Sequence, residues 1–192
     1  MILRPISGIA CFLSCVVQAF AISGQGPKQD RSWRTYENAQ WRYCMSYPSR
    51  WIRGDAFDGA GIFVATGEKR FSRPLGEIDV GALPARPEGP SLALIQDRDA
   101  HLEGLKKFER AESLQILDQR EIQVAGNRAL FTKDRYYDPQ ERATWIDEII
   151  FTERNGAVYR LELECRADQL ERFEPVFQIV LSTFRFDCER GP

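Results

Sequence analysis

One histidine, three cysteines beyond residue 21 and a set of acids among apolar strand patterns are the groups of this 192-residue chain that can carry chemistry. His101 sits in a predicted helix with Asp97, Asp99 and Glu103. Asp97 and His101 are four apart and share a helix face, which makes two ligands. A zinc centre needs three or four, so the expectation is an exposed helix histidine near acids, and no metal is assigned. A nucleophilic cysteine needs a base, and His101 is the sole histidine. Gly54, Gly59 and Gly61 match neither of the familiar phosphate-cradling loops. No catalytic residues and no cofactor are assigned, and the chain reads as a non-enzyme.

Two pairs of polar residues stand out in the strand region. If the loop between Tyr137 and Ala143 closes symmetrically, Lys133 faces Asp147 across a hairpin. That is either a cross-strand ion pair or a polar spot that orients a ligand in an apolar concavity. A three-residue Arg154-Asn155-Gly156 loop would pair Phe151 with Tyr159, Ile149 with Leu161 and Trp145 with Cys165, giving one apolar face. A two-residue loop would instead pair Ile149 with Glu162 and Glu148 with Leu163. The apolar match favours the longer loop. Glu148, Glu162 and Glu164 then share the opposite face, where they are either solvated or close enough for acid–base chemistry if burial raises one pKa. A second candidate is aromatic: Trp33, Trp41 and Trp51 alternate with Arg34, Arg42, Arg50 and Arg53. These types pack cores and also anchor interfaces. Trp41, Arg42 and Trp51, with Asp147 and Lys133, are the candidate binding residues.

The elements that must position these groups follow from periodicity. Trp33–Tyr36 and Trp41–Tyr47 read as a hairpin, ended by Pro48. Residues 62–65 and 78–83 read as short strands, and 84–90 as a proline-rich loop. Ser91 is placed to cap a helix carrying Leu92, Ile95, Leu102, Leu105 and Phe108 at three- and four-residue spacing. From residue 116 the pattern becomes that of a meander: strands at 116–124, 128–137, 143–152 and 158–165, with turns at Gly126-Asn127 and Asn155-Gly156. Asp168 is placed to cap a last helix, interrupted by Pro175. The order predicts α+β around one antiparallel sheet.

Residues 1–21 read as an export signal, with Arg4, an apolar run from Ile6 to Phe20 and small residues around Ala19-Phe20-Ala21. The alternative is lipidation at Cys15. Residues 22–32 read as a flexible lead-in and 33–188 as a single domain, periplasmic or secreted, with no stable membrane insertion. The 26 basic and 28 acidic residues argue against a nucleic-acid partner bound through a general field. Cys44, Cys165 and Cys188 predict one disulfide and one buried thiol, with Cys188 able to reach either partner.

The order of motifs resembles the PsbP-like fold family. The likeness sits in Trp33-x-x-Tyr36-x-Asn38, in Trp41 to Trp51 with its Tyr47-Pro48-x-x-Trp51 ending, in Val124 to Ala129, in Val158 to Leu161 and in Ile179 to Phe184. The resemblance implies a three-layer α/β/α sandwich, helices packed on both faces of an antiparallel β-sheet, and it carries over no active site. The resulting expectation is an exported, non-catalytic domain that binds or helps assemble a protein partner of the bacterial envelope. The alternative is a small-ligand binder or enzyme using acids around the sheet.

Overall fold

A computed structural model of the chain describes residues 32–55, 61–64, 74–84, 90–108 and 111–188. The export signal, Cys15, the lead-in before residue 32 and the loop at 85–89 lie outside the described residues, as do the side chains of Ser91, Leu92, Asp97 and Phe108.

The architecture is α+β and mostly antiparallel, but it holds two sheets rather than the one expected. Strands β1 (Trp33–Asn38) and β2 (Tyr43–Pro48) form the predicted hairpin, and β10 (Arg185–Phe186) pairs with the other edge of β2. The larger sheet contains β3 (Ile52–Asp55), β4 (Gly61–Val64), β5 (Gly76–Pro84), β6 (Glu112–Val124), β7 (Asn127–Asp138), β8 (Ala143–Arg154) and β9 (Ala157–Arg166). Its spatial order is β3-β4-β5-β9-β8-β7-β6, which places β9 in the middle. The hairpin breaks away because Pro48 and the Ser49-Arg50 turn end β2 before β3 starts a new ladder. Tyr43 keeps the sheets in contact, its hydroxyl donating to the Val80 carbonyl at 2.9 Å. Phe63 wedges against Tyr36 and Tyr47, with ring centroids 5.2 and 4.7 Å away.

Helix α1 (Pro90–Phe108) follows β5, and α2 (Leu170–Thr183) follows β9 after a single 3₁₀ turn at Ala167–Gln169. Asp168 does not cap α2: its carboxylate accepts from Arg166 at 3.0 Å, and the cap position falls to Gln169. Pro175 lies in the second turn of α2, where its missing N–H removes one ladder bond and the helix continues. Phe173, Phe177 and Val180 of α2 cluster with Ile78, Val80, Ile146, Ile150, Leu161 and Leu163. Packing there is tight, since a Cβ on Gly76 would stand 2.6 Å from the Phe173 ring. Leu94 of α1 clusters instead with Leu130, Ile149, Phe151 and Val158, and Leu105 with Tyr136, Ala143 and Trp145. In β8 and β9 the strand residues of these two sets have opposite parity, so their side chains alternate between the two sheet faces.

Two of the three meander turns are two-residue loops, the first at Ala125-Gly126, one residue before the expected Gly126-Asn127 because Asn127 already pairs in β7. Val124 pairs with Asn127 and Arg154 with Ala157. Ala125-Gly126 and Asn155-Gly156 have positive φ at both positions, 48° and 76° and 50° and 75°, the pattern whose twist suits adjacent strands. The register is therefore the one the apolar argument rejected: Ile149 faces Glu162, Glu148 faces Leu163 and Trp145 faces Arg166. That argument assumed a single buried face. Every residue of β8 from Trp145 to Thr152 is buried, so the strand is buried on both sides and alternation carries no register information.

Cys44 and Cys188 form the disulfide, with Cα atoms 5.8 Å apart, and Cys165 is the buried free thiol. No helix among the described residues is long and apolar enough to cross a membrane.

Candidate functional site

The first candidate lies at the turn joining β1 to β2. Asn38 Oδ1 accepts the Trp41 N–H at 3.0 Å, which tightens the turn. Arg42 then adopts φ 54°, a left-handed conformation that carries the chain back into β2. Its side chain, 71% exposed, ion-pairs with Asp187 at 2.7 Å. Asp187 also holds Arg154, whose guanidinium covers the Phe186 ring 4.8 Å from its centroid. Tyr159 donates its hydroxyl to the Trp41 carbonyl at 2.9 Å. Around these groups opens a cleft of about 310 Å³, with Trp41, Arg42, Pro84, Arg154, Tyr159 and Phe186 in its lining. A second cleft of about 270 Å³, lined partly by Glu37, Ala39 and Cys188, shares Arg42 and Asp187 with the first.

Trp51 is not part of this place. It sits beyond the far end of β2, roughly 17 Å along the strand at ~3.3 Å per residue, and packs edge-on against Phe173 of α2 with ring centroids 5.9 Å apart. Trp33, Trp41 and Trp51 are each only partly buried against the core. The Trp/Arg alternation in the sequence is thus two separate ends of one hairpin.

The second candidate, Lys133 with Asp147, is not a pair. The loop after β7 joins Asp138 to Ala143, one residue off the symmetric closure, so Lys133 faces Glu148 and Asp147 faces Asp134. Lys133 and Asp147 lie on opposite faces of the sheet. On the α2 side, Lys133 Nζ is 2.6 Å from Glu148 and 3.5 Å from Glu174 of α2. Burial raises the Glu148 pKa above the usual carboxylate range, with Lys133 pulling against it. Burial works against the Lys133 charge, but Glu148 and Glu174 outweigh it and hold the lysine above its ordinary value.

On the α1 side the register brings acids into rows. Asp134, Asp147, Glu164 and Glu77 stand opposite one another across β7, β8, β9 and β5, and Glu162 faces Asp79 one step along. Glu162 and Glu164 therefore share the face of Asp147, and Glu148 is the one that does not. Asp134 and Asp147 are fully buried, and Glu162 and Glu164 are 7% exposed. Burial lifts the Asp134 pKa to about 7; Arg98 opposes the rise and Glu162 adds to it. Tyr136 donates its hydroxyl to Glu164, and Arg160 lies 3.2 Å from Glu162. Cys165, on the other face, has its thiol pushed up to about 12 by burial and then by Glu148, Asp147 and Glu164, which leaves it protonated and inert.

Over these rows lies His101, its side chain 11% exposed and its Nε2 3.4 Å from Asp147 Oδ2. The expected solvent-facing histidine is thus turned inward. Leu94, Arg98, His101 and Leu105 recur at spacings of four, three and four, and this stripe meets the sheet. Ile95 of the expected apolar stripe is 42% exposed. The helix turns its basic groups toward a carboxylate-lined face, and the Leu94-to-Leu105 spacing was the available signal. His101, Asp147 and Glu162 each offer a ligand atom within 4.8 Å of the others. None of the clefts described, including one of about 290 Å³ beside Leu94 and Arg128, is lined by Asp147 or Glu148.

No protein-family model matches the sequence, and no curated protein is similar to it. Solved structures do resemble it. Cyanobacterial PsbP (CyanoP) from Synechocystis sp. PCC 6803 aligns with a TM-score of 0.60 at 14% identity, over 86% of this chain and 98% of that one. The Saccharomyces cerevisiae Ran-binding protein Mog1p aligns with a TM-score of 0.57 at 11% identity, over 81% and 95% of the two chains. LpqN of Mycobacterium tuberculosis, described as involved in cell envelope biogenesis, aligns with a TM-score of 0.53 at 15% identity, over 80% and 89%. At such identities the likeness speaks to fold alone. The chain therefore has the PsbP-like α+β fold that its aromatic hairpin and meander led one to expect.

Proposed function

We propose that this domain is a non-catalytic protein-binding module, exported to the bacterial periplasm or beyond, whose contact surface is the cleft at the β1–β2 turn. One observation carries the reading: Arg42 is held in a left-handed turn at the mouth of an aromatic-lined cleft, exposed and oriented by Asp187. Tryptophan, tyrosine and arginine are the types that dominate interface energies. The Ran-binding description of Mog1p and the envelope role ascribed to LpqN agree with a binding use of the fold. The same reading takes α1 and α2 as outer layers on the two faces of the larger sheet, supported by the opposite parity of their clusters. It treats residues 33–188 as one domain behind a cleaved signal at 1–21. The competing use of Asp147 or Glu148 as solvent-reachable acids loses support from their burial.

The test is cross-linking of the tagged protein in its native host. The expected result is one dominant partner, lost in a folded Trp41→Ala/Arg42→Ala variant and retained in Trp51→Ala. Equal cross-linking by all three proteins would remove the cleft from the proposal.

A further inference from the structure

The rows of acids beneath α1 concentrate buried carboxylates on one face of the sheet. Asp134, Asp147, Glu162 and Glu164 are buried within neighbouring register positions. Buried carboxylates are costly unless matched by cations or hydrogen bonds. Arg160 engages Glu162, and Tyr136 engages Glu164. Arg98 acts on Asp134 across space, while its Nε donates to Asp99 at 2.8 Å. Among the described residues, neither Asp134 carboxylate oxygen has a hydrogen-bond partner, and Asp134 is fully buried and directly opposite Asp147 on the same face.

The remaining geometry is that of a coordination site. His101 Nε2 and Asp147 Oδ2 are 3.4 Å apart, close to the edge of a tetrahedron with metal–ligand bonds of about 2.0–2.1 Å. Glu162 brings a third ligand atom within 4.8 Å of both. We propose that His101, Asp147 and Glu162 bind a divalent transition-metal ion of the Zn²⁺ or Mn²⁺ class, with the buried charge of Asp134 beside them adding to the attraction. An imidazole in the set favours these ions over Ca²⁺ and Mg²⁺, which prefer oxygen alone. The three ligands come from α1, β8 and β9, so the ion clamps the helix to the sheet. It does so on residues separate from the Trp41 cleft, and the two proposals stand or fall independently.

The full chain, stripped with a chelator, is titrated calorimetrically with Zn²⁺ and Mn²⁺, and with Ca²⁺ and Mg²⁺ for comparison. Because His101 is the sole histidine, its ring resonances report imidazole ligation directly. The expected result is one equivalent of Zn²⁺ or Mn²⁺, a shifted His101 signal and a raised Tm. His101→Gln and Asp147→Asn should each weaken binding beyond the ~10–100-fold that outer partners of a metal typically cost. Chelated Asp147→Asn should melt no lower than chelated wild type, since crowding of buried charge is relieved. Failure of the wild type to take up either ion, or wild-type affinity in His101→Gln, overturns the proposal. A chelated Asp147→Asn that melts lower, beside a wild type that binds no metal, identifies His101–Asp147 as an ion pair only.

Discussion

Replacing Lys133 with methionine keeps most of the apolar stem and removes the cation that faces Glu148 across the β7–β8 ladder. The glutamate is 1% exposed and its lysine partner 20%, so water can compensate little once the ammonium is gone. Breaking a buried pair from one side costs about 3–5 kcal/mol, and the partial exposure of Lys133 places the expected loss near 3 kcal/mol. A second substitution, Glu148→Leu on top of Lys133→Met, removes the stranded charge and should restore at least wild-type stability, because apolar replacement of a whole buried pair is commonly neutral or better. Burial already raises the Glu148 pKa, and without Lys133 it does so unopposed. A carboxyl whose folded pKa exceeds its unfolded one binds its proton more readily when folded, so its contribution to stability falls as pH rises through that window. The Lys133→Met penalty should accordingly be small near pH ~4, the ordinary glutamate range, and fully developed at mildly alkaline pH. Urea unfolding of wild type, single and double variants across that range measures all three quantities. A single-variant loss below ~1 kcal/mol, the size of a solvent-exposed bridge, would refute the reasoning, as would a double variant no more stable than the single.

Ala125 holds a left-handed φ of 48° at the first position of its turn, so Ala125→Asn should stabilise by about 1 kcal/mol, seen as a higher thermal midpoint. The Cys44–Cys188 bridge spans a sequence separation of 144; Cys44→Ser should cost about 2–5 kcal/mol. Cys188→Ser should cost the same and add nothing on top of Cys44→Ser, with reductant abolishing the difference in denaturant midpoint between wild type and variant.

The elements with strong periodicity were readable from the chain alone, and those defined by tertiary contact were not. Glu112–Val124, Asn127–Asp138 and Ala157–Arg166 fall within a few residues of the strands their patterns suggest. Ile52–Asp55 and the two residues Arg185–Phe186 were missed because runs that short carry no alternation to detect. Register failed for a different reason. Where a strand such as β8 is buried on both faces, an apolar residue is welcome on either, and turn chemistry at Asn155-Gly156 is a better guide than matching hydrophobic side chains. The same burial hid His101: acids such as Asp134 and Asp147 read as solvent-facing until their strands are known to be buried. The Trp41 turn was legible as an aromatic and basic segment, whereas the separation of Trp51 from it depends on the straight run of β2, which sequence proximity disguises.

The bridge between Cys44 and Cys188 sets a problem of order in synthesis. Of the cysteines among the described residues, a chain made from its N-terminus presents Cys44 first, Cys165 next and the correct partner last, after β1, β2 and the whole meander have emerged. Between the second and third arrivals the match that the described residues offer Cys44 is the wrong one. Cys165 sits on β9, the middle strand, at 0% exposure and with its thiol held protonated. Docking β9 between β5 and β8 withdraws the competing sulfur from oxidants and leaves Cys44 to wait for the tail. Burial of Cys165 within the larger sheet thus reserves covalent closure of the smaller one for Cys44 and Cys188.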